Sequence, residues 1–122
     1  MFVLYFDGYA KGNPGPAGYQ YVILKGEKII AKEKEAIGTA TNNEAEYVGL
    51  INGLTKALTL GIKDLLVIGD SQLVIQQMRG NYAVRAPNLR KLYEGAKKLA
   101  RKFRTIRFEW RPREQNKAGI GI

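Results

Sequence analysis

Residues 41–70 read TNNEAEYVGLINGLTKALTLGIKDLLVIGD. Two different periods meet in this stretch. Tyr47, Leu50, Ile51, Leu54, Ala57 and Leu58 recur at the spacing of one helix face, which predicts a helix over 44–60. Thr41, Asn42 and Asn43 offer capping side chains at its start, and Gly61 stands where a C′ glycine belongs. Leu65-Leu66-Val67-Ile68 is short, continuous and apolar. Such a run suits a strand buried on both faces and reached by a crossover, which is the setting of parallel pairing.

The flanks extend this reading in both directions. Residues 2–6 are β-rich, and Lys11-Gly12-Asn13-Pro14-Gly15-Pro16-Ala17-Gly18 is a turn region. Residues 19–25 predict a second strand, and Gly26-Glu27 turns into a third over 28–37. Downstream, Ser71 to Met78 predicts a short helix ended by Gly80. Pro87 opens another, whose apolar stripe runs Leu89, Leu92, Tyr93, Ala96, Leu99, Ala100 and Phe103. Its opposite face carries Arg90, Lys91, Lys97, Lys98, Arg101 and Lys102. Thr105 to Trp110 is a last strand, and residues 111–122 carry little order signal. The order β-β-β-α-β-α-α-β predicts an α/β fold: one domain over 1–122, with a five-stranded mixed sheet and helices packed on it.

Composition narrows the chemistry. The chain has no cysteine and no histidine. That excludes disulfide frameworks, thiolate nucleophiles, Cys or HExxH zinc sites and Ser-His-Asp triads. Reaction chemistry must rest on carboxylates, hydroxyls, amides, Lys or Arg. No apolar run reaches the roughly 18 residues of a membrane span, and the N-terminus reads as a strand instead of a signal peptide. A soluble, cytoplasmic, monomeric domain without membrane contact is expected.

The net charge of +9 is unevenly distributed. Residues 1–78 carry a net −1, and residues 79–122 carry +10. A basic half of this size points to a polyanionic partner, nucleic acid above all; a solvated basic face is the bland alternative.

Three acids stand out. Asp7 lies within or just after the first strand, and Asp70 directly follows the buried run. Functional groups in open α/β sheets gather at strand ends near a topological switch. If strands one and four are neighbours, Asp7 and Asp70 meet there, and Glu46, in the first turn of the preceding helix, reaches the same point. Each acid also has a plain structural reading: Asp7-Gly8 as a turn, Glu46 as a partner of the helix dipole, Asp70 as an N-cap. Converging, they repel and need cations. Without His or Cys, Mg²⁺ or Mn²⁺ is favoured, in a site suited to phosphoryl transfer with two ions. The glycine-rich turn lacks the Gly-Lys-Ser/Thr ending of a phosphate loop and joins two strands, so nucleotide binding of that kind is not expected.

At this point four motifs, in order, carry a resemblance. They are Tyr5-Phe6-Asp7-Gly8, Gly12 to Gly18, Thr41-Asn42-Asn43-Glu44-Ala45-Glu46-Tyr47 and Gly69-Asp70-Ser71-Gln72-Leu73-Val74. Together they resemble type 1 ribonuclease H in its compact archaeal and bacterial form, over about residues 1–118. The resemblance implies the ribonuclease H-like fold and endonucleolytic hydrolysis of the RNA strand of an RNA–DNA hybrid with two divalent ions. It implies Asp7, Glu46 and Asp70 as catalytic and metal-binding residues, with Asp7 bridging both ions. It implies contacts to the hybrid from Gly8, Asn13, Thr41, Asn42, Asn43 and Gln72, with Thr41 on a DNA phosphate and the amides in the minor groove, where they suit 2′-hydroxyls.

The likeness breaks at the C-terminus. The family's histidine near Trp110 to Asn116 has no counterpart, and Arg113 or Glu114 is expected nearby. The family's fourth carboxylate falls on Ile120 by count, or on Gly119 if one residue is deleted. Asn116, Glu114, the Ile122 carboxylate or water are the candidate stand-ins. Two further readings follow: a catalytically impaired module that binds hybrid or double-stranded RNA, and a domain detached from a larger reverse transcriptase or nuclease.

Overall fold

The computed structural model describes residues 1–119. The five strands are β1 (Phe2–Ala10), β2 (Gly15–Lys25), β3 (Lys28–Ala40), β4 (Asp64–Gly69) and β5 (Thr105–Trp110). The helices are α1 (Asn42–Thr59), α2 (Gln72–Met78) and α3 (Pro87–Ala100). The sheet order is β3-β2-β1-β4-β5. β1 pairs antiparallel with β2, and β2 with β3, while β4 runs parallel to both β1 and β5. The predicted α/β architecture and element order hold. The strand limits were drawn too short: β2 begins inside the glycine-proline segment at Gly15, and β3 runs on to Ala40.

The two faces of β1 explain where the core lies. Leu4 and Phe6 point toward α1 and join Tyr47, Leu50, Leu54, Val67 and Ile75 in the main core. Tyr5 points the other way and packs with Val22, Leu24, Leu66 and Ile68, where Ala118 of the C-terminal segment lies on them. β1 is therefore covered on both faces, as parallel central strands are. α1 comes very close to it. A Cβ at Gly53 would fall 2.6 Å from Leu4 Cδ1, and one at Gly49 3.0 Å from the Asp7 carbonyl oxygen. Small residues on this helix seam let the backbone settle onto the strand.

Local chemistry sets the helix ends. Thr41 caps α1: its Oγ1 accepts from Glu44 N at 3.1 Å, and Glu44 Oε1 accepts from Thr41 N at 2.8 Å, a complete capping box. Ser71 caps α2 by accepting from Val74 N at 3.2 Å. Residues 111–119 are not the unordered tail that their sequence suggested. A short 3₁₀ turn over Arg113–Gln115 leads into Asn116, which is fully buried. Among the described residues, no helix is long and apolar enough to cross a membrane.

Candidate active site

The chain changes direction across the sheet between β1 and β4, so a crevice opens beyond their C-terminal ends. Asp7 lies near the end of β1, opposite Gln20 on β2. Asp70 follows the last residue of β4. Glu46 is the fifth residue after the Thr41 cap, in the second turn of α1, one turn deeper than its sequence position suggested. The three acids converge: one carboxylate oxygen from each lies within 4.8 Å of the others.

Close packing brings Glu46 in. A Cβ at Gly8 would fall 2.2 Å from the Glu46 backbone nitrogen and 2.3 Å from the Ala45 carbonyl carbon. Only a residue without Cβ lets the start of α1 sit against β1 at this depth. Gly8 therefore builds the site from below, whatever it also does toward a ligand. Asp70 is free to face the crevice because Ser71, not Asp70, supplies the α2 cap.

The electrostatics are those of an unneutralised cluster. Asp7 and Glu46 are buried, and Asp70 is partly so. Asp7 Oδ1, Glu46 Oε1 and Asp70 Oδ2 are all buried without a hydrogen-bond partner. Burial, then the charges of Asp7 and Asp70, push the Glu46 carboxyl well above the ordinary glutamate range, against a smaller opposing effect of the Gly8 backbone. Burial and the Asp7 charge also raise Asp70, while the Arg113 charge and a hydrogen bond from Asn116 pull it back. Buried polar atoms normally find partners. Three orphaned carboxylate oxygens aimed at one point, with no Cys or His near, fit a hard divalent cation with oxygen ligands.

A second tier of residues holds this cluster. Gln20 Nε2 donates to Asp7 Oδ2 at 3.4 Å. Trp110 Nε1 donates to the Asp70 carbonyl at 3.1 Å. Asn116 Nδ2 donates to the Phe6 carbonyl at 2.7 Å, and its Oδ1 accepts from Ala118 N at 3.0 Å. Asn116 is therefore a strap that ties the C-terminal segment to β1 beside Asp7. The separation of Gln20, Trp110 and Asn116 from the acids along the chain hid these roles; of the three, the sequence singles out only Asn116, and as a candidate ligand instead of a strap.

The other expected residues sort as follows. Asn13 Oδ1 accepts from Asn42 N at 3.0 Å, and Asn42 Oδ1 accepts from Ala10 N at 2.9 Å. This latches the loop after β1 to the start of α1, so both amides have a structural task on their oxygens. Thr41 and Asn43 are half-buried at the same helix end. Gln72 opens α2 two residues after Asp70, exposed, with its Oε1 accepting from Gln76 at 3.3 Å. Arg113 acts on Asp70 as expected of a nearby cation, whereas Glu114 is exposed and outside the acidic cluster. A Cβ at Gly119 would lie 3.1 Å from Asp7 Oδ2. Position 119 therefore borders the cluster and carries no side chain. Ile120 and Ile122 lie outside the described residues.

A mixed sheet in this order, with acids at the ends of its two central parallel strands and on the helix between them, is the ribonuclease H-like arrangement. Residues 5–120 match the reverse transcriptase-like family model, and the chain belongs to that family, among its type 1 ribonuclease H relatives. It is 49% identical over 116 residues to the bifunctional protein Rv2228c of Mycobacterium tuberculosis, covering 93% of this chain and 32% of that protein. It thus spans about a third of the mycobacterial relatives it matches. The N-terminal RNase H domain of that protein, solved as a fusion with maltose-binding protein, superposes with a TM-score of 0.92, covering 94% of this chain and 84% of that one. RNase H1 of Halobacterium salinarum gives 0.92 at 39% identity, covering 96% and 89% of the two chains. LC11-RNase H1, solved in complex with an RNA/DNA hybrid, gives 0.90 at 33% identity over the same shares.

Proposed function

We propose that this chain hydrolyses the RNA strand of RNA–DNA hybrids in a divalent-metal-dependent reaction. The observation that carries the reading is the set of three orphaned carboxylate oxygens, with ligand atoms from all three acids within 4.8 Å of one another. Support for the substrate comes from LC11-RNase H1, a neighbour of the same fold solved with a hybrid. Asp7, Glu46 and Asp70 would hold two Mg²⁺ ions, with Mn²⁺ as a substitute. When bound, such ions lower the pKa of a water and stabilise charge on the attacking and leaving oxygens of a phosphodiester.

The protein's own groups prepare this site. Gly8 and the α1 seam fix Glu46 against β1, and Asn116 and Trp110 orient the segments beside Asp7 and Asp70. Glu46, whose carboxyl is held above the ordinary glutamate range by burial and its acidic neighbours, would have to be deprotonated to ligate a cation. The hydroxyl of Thr41 and the NH₂ groups of Asn13, Asn42, Asn43 and Gln72 ring the start of α1 and of α2, where donors suit phosphates and 2′-hydroxyls.

One observation favours a second reading. Position 119 borders Asp7 but supplies no oxygen, which fits a module that binds hybrid and cuts it poorly. A labelled RNA–DNA hybrid incubated with Mg²⁺ or Mn²⁺ separates the two. Metal-dependent cleavage that disappears in Asp70→Asn supports the nuclease. Salt-sensitive binding without product at any metal concentration supports the binder.

A further inference from the structure

The +10 half of the chain does not gather around the carboxylates. Three of its cations sit around a separate cavity of about 600 Å³ between the ends of α2 and α3 and the edge strand β5. Arg79 follows α2, and Lys97 and Arg101 belong to the end of α3. None of these three cations has a carboxylate partner among the described residues. Glu109, the one acid on the cavity wall, is already paired with Arg111 at 2.5 Å. The groove is thus a concentrated, uncompensated positive site. Lys97 reaches in far enough for its Nζ to lie 3.5 Å from the Met78 carbonyl oxygen.

The remaining surface is apolar. Met78, Ile106 and Phe108 contribute it. Cations along a cleft with an apolar floor match an unpaired nucleic-acid strand, whose phosphates are charged and whose bases present bare faces. Two of the three cations are arginines, whose planar guanidinium pairs with phosphate and also stacks on bases. The groove also leads toward the acids: β5 runs parallel to β4, Trp110 pairs with Gly69, and its indole is bonded to Asp70.

We propose that Arg79, Lys97 and Arg101 form a binding groove for a single nucleic-acid strand, which holds an unpaired extension next to the hybrid site. The nucleic-acid partner rests on the functional reading above, but the groove's binding is measured without cleavage.

The test is fluorescence anisotropy of a labelled dT oligonucleotide of about 12 nucleotides, in EDTA, over a salt series. The double variant Arg79→Glu/Arg101→Glu is expected to lose about tenfold or more in affinity. Its log-affinity against log-salt slope is expected to fall by about 1.4, the amount two lost phosphate contacts cost for a single strand. Lys28→Glu/Lys56→Glu changes net charge equally on other surfaces and is expected to lose less than about threefold, by screening at a distance. Arg79→Gln/Arg101→Gln, a milder pair, is expected to show a partial loss, and circular dichroism confirms that each variant folds. Equal losses in the groove and control pairs overturn the proposal. So does unchanged affinity in the groove pair, or a polyglutamate peptide that binds the groove while the oligonucleotide does not. Cleavage of a blunt hybrid is recorded in parallel. If cleavage is absent but groove-dependent oligonucleotide binding is found, the catalytic reading fails and the groove stands; the reverse outcome removes only the groove.

Discussion

Replacing Glu46 with Gln removes one charge from the acidic cluster and keeps its shape. With carboxylate oxygens within 4.8 Å of one another, each ionised pair repels by about 3.5 kcal/mol at an effective dielectric of about 20. Three such pairs amount to about 10 kcal/mol, comparable with the whole stability of a small domain. Full ionisation of the cluster in the metal-free protein is therefore opposed, most of all at Glu46, which burial and then its two acidic neighbours push furthest up. The sign follows. A carboxyl whose folded pKa lies above its unfolded value contributes stability that is complete below about pH 4.5. That stability is lost as pH rises through the folded pKa. Gln cannot ionise and does not suffer this loss. Glu46→Gln should match the wild type near pH 4 and exceed it at about pH 9 by about 2–3 kcal/mol, after screening and water penetration are allowed for. That corresponds to a Tm about 10 °C higher. Scanning calorimetry in EDTA across this pH range reads it directly. Adding Mg²⁺ should reverse the order. The wild type gains about 2.7 kcal/mol at a hundred times its Kd, and the variant gains much less. A Glu46→Gln protein that is less stable than wild type at high pH without metal, or equally stabilised by Mg²⁺, would refute the electrostatic account of the site.

Three other outcomes follow from the same geometry. Gly8→Ala puts a methyl 2.2 Å from the Glu46 nitrogen; α1 must move, at about 1–3 kcal/mol of stability and about 100-fold in cleavage if Glu46 shifts by about 1 Å, read by urea denaturation and hybrid turnover. Asn116→Ala leaves the Phe6 carbonyl without its donor and frees the C-terminal segment. The expected cost is about 1–3 kcal/mol, with faster amide exchange at Ala118 and Gly119. Gly119→Asp adds a fourth acid whose Cβ lies 3.1 Å from Asp7 Oδ2. It should lower the metal-free Tm, raise Mg²⁺ affinity by calorimetric titration and increase cleavage, whereas Gly119→Asn should give much less of the gain.

Short-range patterns explain why much of this was legible in the chain itself. The helix stripe from Tyr47 to Leu58, the capping side chains at residues 41–43 and the apolar run at 65–68 each depend on neighbours a few residues away, and each element formed where its pattern stood. The absence of His and Cys excluded whole classes of chemistry before any contact was known. Strand ends were less legible, because Gly15 to Gly18 read as turn residues yet are held in β2 by pairing with β1 and β3. Tertiary pairing outweighs local turn preference there.

The acids themselves show the division most clearly. Their candidacy came from sequence position alone: two followed apolar runs and one stood near a helix start. Their meeting did not, because Asp7, Glu46 and Asp70 converge only once β4 lies beside β1 and α1 presses against a glycine with no Cβ. Nor could sequence separate the plain from the chemical reading of Asp70, which was settled when Ser71 took the cap. The role of Asn116 lay further out of reach, since its partner Phe6 is 110 residues away. The basic half was visible as a number, +10 over residues 79–122, but not as a place. The packing of α2, α3 and β5 decided that three of those cations share one groove. Local propensity acts over a few residues and can be read along the chain. Close approach, burial and the loss of solvent from a charge are properties of surfaces brought together, and they exist only in the folded molecule.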